Sequence, residues 1–149
     1  MATADGTTKA KLVDLFDRYV TYLDEGQYSD WLDLFTEEAR YVMLLRQDYL
    51  KDTNMLAIGE GKRELAGRIE VGQGVERDAR THLLTAVMME KVDAGLRAAA
   101  NFAVVRHGGI ACSGRYHMDL VERDGELRIG RCICVLNDTV IRGTIYLPV

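Results

Sequence analysis

The apolar positions change period along the chain, and the change divides it in two. Leu12, Phe16, Tyr19, Val20 and Leu23 recur at i, i+4, i+7, i+8 and i+11. That spacing lays one apolar stripe along an α-helix. Thr8 can cap its start, residues 1–7 read as a loose N-terminal arm, and Gly26 is the expected stop. Ser29 reads as the cap of a shorter second helix that buries Trp31, Leu32 and Phe35. Residues 40–45 read as a strand and residues 47–54 as a polar loop. Residues 61–72 read as a weaker third helix with Leu65 and Ile69 inside. From Arg80 onward the pattern is that of strands. Residues 81–92, 96–107, 111–123 and 126–138 read as four long strands, and residues 144–147 as a closing one. Their turns are Asp93-Ala94-Gly95, Gly108-Gly109 and Asp124-Gly125. The last is the strongest signal, because Asp-Gly suits the positive φ angles of a type I′ hairpin turn. Such short links make a sheet largely antiparallel. The order predicts a single α+β domain over residues 1–149. About three N-terminal helices would pack on a curved, mostly antiparallel sheet, giving a cone.

The strands carry more apolar side chains than such a sheet needs. A strand with one wet face alternates apolar and polar residues. Leu83-Leu84-Thr85-Ala86-Val87-Met88-Met89 is apolar on both faces, and so is Cys132-Ile133-Cys134-Val135-Leu136. Three modest helices can cover one face only. The other face would be a large apolar patch, which a soluble monomer rarely tolerates. The pattern therefore predicts an oligomer interface on the sheet.

Composition narrows the partners. The chain has 149 residues, one domain's worth, and can bury roughly two-thirds of its unfolded surface. Its net charge of −4 gives no attraction for a phosphate backbone or an anionic membrane. The first residues hold no apolar run of the signal-peptide kind, and no segment approaches the ~20 apolar residues of a spanning helix. A cytoplasmic location is expected. Cys112, Cys132 and Cys134 are odd in number, and two are separated by a single residue, which argues against a disulfide framework.

Candidate chemistry is sparse. His82, His107 and His117 fall on separate strands or turns, and none pairs with another at helical spacing. Cys132 and Cys134 face one side of a strand, but no third and fourth metal ligand accompanies them. No cysteine has a histidine within three positions after it, so the paired Cys/His ligands of a Rieske centre are missing. Gly59-Glu60-Gly61-Lys62 lacks the ending of a phosphate loop, and Ser113 does not lie on a nucleophile elbow. Acid–base chemistry inside the cone remains. His82 opens the first long strand, Asp24 ends the first helix, and Tyr41 begins the strand after the helices. Converging, they can move protons on a substrate. Equally, His82 can be a satisfied core histidine, Tyr41 packing and Asp24 a solvated helix end. His117 alternates with Arg115 and Asp119, which suits a polar or partner-facing surface.

Leu23-Asp-Glu-Gly, then Trp31-Leu-Asp-Leu-Phe-Thr-Glu-Glu-Ala-Arg-Tyr41, then Arg80-Thr-His82-Leu follow in order. The hairpin from Ser113-Gly-Arg-Tyr to Asp124-Gly-Glu-Leu-Arg-Ile and the ending Leu147-Pro-Val complete the set. With these motifs, nearly the whole chain resembles the small (β) subunit of Rieske non-haem iron aromatic-ring-hydroxylating dioxygenases. The tail looks most like the terephthalate, salicylate and anthranilate branches. Val75-Glu-Arg-Asp-Ala-Arg80 departs from the Pro- and Trp-containing segment common there. The resemblance implies a nuclear-transport-factor-2-like (NTF2-like, SnoaL-like) fold, a structural role in an oxidoreductase of aromatic catabolism, and assembly as an α3β3 hexamer. It implies no catalytic, cofactor-binding or metal residues in this chain. The Rieske [2Fe-2S] cluster and mononuclear Fe(II) would belong to the partner α subunit. Scytalone-dehydratase-like and polyketide-cyclase-like proteins share the cone. The alternative is thus a free-standing dehydratase, isomerase or cyclase using His82, Asp24 and Tyr41. A third reading, a non-catalytic small-molecule binding module, has no motif in its favour.

Overall fold

The computed structural model describes residues 6–75, 78–141 and 147–149. Helix α1 (Gly6–Asp24) buries Leu12, Leu15, Phe16, Tyr19 and Leu23 along the expected stripe. It begins at Gly6, ahead of Thr8, so residues 6 and 7 of the expected arm are helical and residues 1–5 lie outside the described residues. Its end follows the sequence. Gly26 takes φ +70°, Gln27 N–H donates to the Tyr22 carbonyl at 2.8 Å, and Gly26 N–H donates to that of Leu23 at 3.4 Å. This paired arrangement satisfies carbonyls that the last turn would otherwise leave open.

Helix α2 (Tyr28–Leu32) is a single turn that buries Tyr28 and Trp31. Ser29 is not its cap. The chain enters the helix at Gln27, so Tyr28 and Trp31 face inward at i, i+3 while Ser29 is exposed. Phe35 belongs to the next element, β1 (Phe35–Leu45), which starts before the expected residue 40 because Phe35 already pairs with Ile129; the exposed Glu37 and Glu38 interrupt the apolar pattern and hide this start in the sequence. Helix α3 (Arg46–Leu50) follows at once, where a loop was expected, and buries none of its own residues. Strand β2 (Ile58–Gly61) was not legible, having one apolar residue in four, and exists by pairing antiparallel with β1. Helix α4 (Lys62–Val75) buries Leu65 and Ile69 as expected.

Strands β3 (Thr81–Val92), β4 (Gly95–Arg106), β5 (Gly109–Arg123) and β6 (Glu126–Leu136) form consecutive antiparallel hairpins. The sheet order is β2-β1-β6-β5-β4-β3. Only one pairing among the described strands is parallel, that of β1 with β6, where Tyr41 lies opposite Cys132. The Asp124-Gly125 turn has φ +53° and +78°, as the type I′ reading requires. The middle turn is His107-Gly108, with φ +51° and +75°, one residue earlier than the Gly-Gly expected. The expected strand over residues 144–147 lies mostly outside the described residues.

The two-sided apolar strands resolve differently. In β3 the register against β4 shifts between Thr85 and Met88, and Ala86 sits at φ +51°. This β-bulge reverses the alternation, so Leu84 and Met89 both turn to the main core while Leu83 and Met88 stay outside, 53% and 63% exposed. In β6, Cys132, Cys134 and Leu136 join the main core. Val135 joins Val42 and Leu44 in a small cluster on the opposite face, with Ile133 against it and α3 packed on the same two strands. The surplus is thus covered on β6 and uncovered on β3.

Gly114 marks the tightest contact in the sheet. A Cβ there would overlap the Val135 carbonyl oxygen and press on the Phe102 ring. Gly114→Ala should therefore lower stability by about 2–4 kcal/mol, by urea denaturation. Gly108→Ala, in open space but at positive φ, should lose only about 1–2 kcal/mol. Equal midpoints for the two variants would contradict this packing.

Candidate functional site

The end of α1 and the start of β3 are brought together by the Gly26 stop. Asp24, in the last turn, meets His82, second residue of β3. Asp24 Oδ2 accepts the His82 backbone N–H at 2.9 Å, and Asp24 Oδ1 lies 2.5 Å from His82 Nδ1. A carboxylate can only accept, so Nδ1 carries the proton in this pair. The His82 side chain is 0% exposed and that of Asp24 17%. Nε2 is buried and has no hydrogen-bond partner among the described residues. The carboxylate thereby fixes the ring, and in a neutral imidazole this tautomer puts the lone pair on Nε2. That is the orientation a general base needs.

Beside the pair opens a cavity of about 320 Å³, lined by Asp24, Tyr28, Gln73, Asp78 and Arg80 among others. Arg80 is buried and donates from Nη2 to the Tyr28 hydroxyl at 3.4 Å. Asp78 accepts from Arg106 Nη2 at 3.1 Å and lies 3.2 Å from His107 Nε2. Asp24 thus faces both the cavity and His82.

Tyr41 does not join them. It lies on β1, and β6, β5 and β4 separate that strand from β3. At ~4.8 Å per strand the two stand about 19 Å apart across the sheet. Its hydroxyl donates to the Val149 carbonyl oxygen at 2.8 Å and faces the Val149 N–H at 3.3 Å. Burial, then the nearby Cys134 and Cys132, pushes this phenol well above its ordinary pKa. The expected three-residue convergence is a pair, because strand order sends Tyr41 to the opposite half of the sheet.

The remaining candidates are scattered. His107 is on an exposed turn. His117 is on the sheet face opposite α1, stacked on Tyr49 at 5.3 Å between ring centroids. Lys62 binds Glu37 at 2.9 Å and the Phe35 carbonyl at 3.3 Å, which ties α4 to β1. Among the described residues no three His, Cys, Asp or Glu side chains cluster as metal ligands. All three cysteines are free. Burial pushes Cys112 up to about 11 and Cys132 to about 12.

The comparisons with known proteins agree with this architecture. A model of the SnoaL-like domain matches residues 6–133. The chain belongs to the SnoaL-like domain family, and its fold is NTF2-like. The beta subunit of a proposed aromatic-ring-hydroxylating dioxygenase from Novosphingobium aromaticivorans DSM 12444 superposes with TM-score 0.83 at 20% identity, over 94% of this chain and 95% of that one. The beta subunit of benzoate 1,2-dioxygenase from Burkholderia mallei ATCC 23344 gives TM-score 0.70 at 19% identity, over 95% and 97%. A proposed scytalone dehydratase from the same Novosphingobium strain gives TM-score 0.70 at 14%, over 92% and 91%. No curated protein sequence matches the chain. No helix among the described residues is long and apolar enough to cross a membrane.

Two measurements follow. Asp24→Ala strands the buried His82 N–H and Nδ1, and should cost about 2–4 kcal/mol in thermal or urea unfolding, while Asp24→Asn, which keeps one acceptor, should cost less. With thiol pKa values raised, thiolate is scarce at pH 8. The native cysteines should react with Ellman's reagent at least ~10-fold more slowly than free cysteine, and all react once the chain is unfolded.

Proposed function

We propose that this chain is the β subunit of an aromatic-ring-hydroxylating oxygenase, holding catalytic α subunits in an assembly. The observation that carries this reading is the uncovered apolar face at the β3 edge. Leu83 and Met88 are 53% and 63% exposed on β3, and Ile110 is 72% exposed at the start of β5. Apolar surface left in water this way marks a contact with another chain. The end-to-end likeness to two dioxygenase beta subunits supports it. In this reading the Rieske cluster and mononuclear iron lie in the α chain, the complex is an α3β3 hexamer in the cytoplasm, and this chain supplies stiffness and contact area.

A second reading has its own observation. The Asp24–His82 pair leaves a buried Nε2 without a partner among the described residues, as a proton-transferring dehydratase, isomerase or cyclase would. The likeness to the scytalone dehydratase fold is compatible with it.

Turnover per intact assembly separates the two. The chain is co-expressed with an oxygenase α subunit, and His82→Ala, Asp24→Asn and Tyr41→Phe are compared with the parent. The subunit reading expects lost assembly or lost soluble protein for His82→Ala, with activity per assembled complex largely kept. Loss of a general base costs ~10²–10⁴-fold in rate while the fold survives. Assembled His82→Ala complexes slowed to that extent would overturn the subunit reading. So would a chain that sediments as a well-behaved monomer and gains nothing from the α subunit.

A further inference from the structure

The sheet face opposite α1 carries a second cleft. It lies between α3 and the strands β4, β5 and β6, with a volume of about 430 Å³. That is within the ~300–1,000 Å³ usual for small-ligand sites. Two cations line it, Arg46 from α3 and Arg115 from β5, together with the amides of Asn101 and Asn137. No carboxylate lines it. Arg115 is held from behind. Its Nη1 donates to Asn101 Oδ1 at 2.6 Å, and its Nη2 meets only the Met88 sulfur at 3.8 Å. Neither arginine forms an ion pair with a described carboxylate, whereas Arg18, Arg97, Arg106 and Arg128 each do; the exposed Arg40, Arg63, Arg123 and Arg131 resemble the cleft pair in this and line no such cleft. In a chain of net charge −4, two unpaired guanidiniums opening on one cleft are an electrostatic complement to an anion.

The rest of the lining is flat and apolar. The Tyr49 and His117 rings stack at 5.3 Å with 19° between their planes. Leu50 and Val135 add aliphatic surface. Burial, and then the Arg115 charge, hold the His117 imidazole below its ordinary pKa. It therefore presents a neutral ring to the cleft rather than a third cation. A guanidinium fork matches a carboxylate in two parallel hydrogen bonds, and a stacked pair of rings suits a planar apolar body.

We propose that this cleft binds a small aromatic carboxylate, its carboxylate on Arg115 and Arg46 and its ring against the Tyr49–His117 stack. The site is separate from the Asp24–His82 pair but borders Met88, on the face the proposed function gives to a partner, so it is tested on the chain free of any partner. Benzoate is the probe, titrated into the full chain by calorimetry and followed on the His117 imidazole by NMR. Saturable binding is expected, with Kd on the order of 0.1–1 mM for so small a ligand. Arg115→Met and Arg46→Met should each weaken it at least ~10-fold, the loss of one strong ionic contact. Benzyl alcohol, of the same shape without the charge, should not bind. Arg46 is exposed on α3, so its variant keeps the test available if Arg115→Met fails to fold. Four results would overturn the proposal: no saturation, benzoate binding unchanged in both variants, equal binding of benzyl alcohol, or inorganic phosphate binding as well as benzoate. Loss of subunit assembly in the arginine variants, with no benzoate binding to the parent chain, would also overturn it and assign the cleft to a partner protein's carboxylate.

Discussion

A run of packed aromatic rings, three pairs edge-on and one stacked, joins the two halves of this chain, and the other contacts are arranged around it. Trp31 packs on Phe35 with centroids 4.7 Å apart and on Tyr19 at 5.4 Å. Tyr19 continues to Tyr116 at 5.3 Å, and Tyr116 to Phe102 at 4.3 Å. Five rings thereby connect α1, α2, β1, β5 and β4. Ring pairs of this geometry are worth about 0.5–1.5 kcal/mol each beyond the area they bury. Their larger effect is directional. The helices supply the rings from the first third of the sequence and the hairpins supply the facing ones from the last, so α1 can lie on the sheet in one way only. Once it does, Asp24 at its end meets the start of β3 beside the cavity.

That dependence explains what was legible in the sequence. The stripe from Leu12 to Leu23, the Gly26 stop and the Asp124-Gly125 turn are local signals, and each appears where its spacing predicted. The pairing of Asp24 with His82, 58 positions apart, was reachable only through an assumed cone. It held because both residues lie at element ends that local rules fix. Tyr41 was placed with them by the same cone and lies elsewhere, since strand order is a tertiary choice that local pattern does not encode. The elements missed share one cause. Strand β2, helix α3 and the first residues of β1 hold few apolar side chains and are stabilised by neighbours, so their composition carried no signal. The aromatic-carboxylate cleft escaped for the same reason, as α3 forms one of its walls.

The two clefts described above lie on opposite sides of the sheet. On the helix face, Asp24 and His82 are locked by mutual hydrogen bonds and packed under α1. On the other, Arg46 opens a single helical turn that buries nothing of its own, and Arg115 shares the cleft with it. The first is stiff because a buried pair left half-satisfied is costly. The second owes its shape to exposed side chains and can adjust to what it meets.

The bulge at Ala86 has a consequence for the free edge of β3. An edge strand of twelve residues rich in Leu, Val and Met is a template for uncontrolled strand addition. The bulge divides its ladder to β4 into stretches 81–85 and 88–92, with a kink between them. Neither stretch offers the six or seven continuous residues from which fibrils grow. The same residue that turns Met88 outward thus denies a straight edge to copies of the chain, while the apolar face of β3 stays bare.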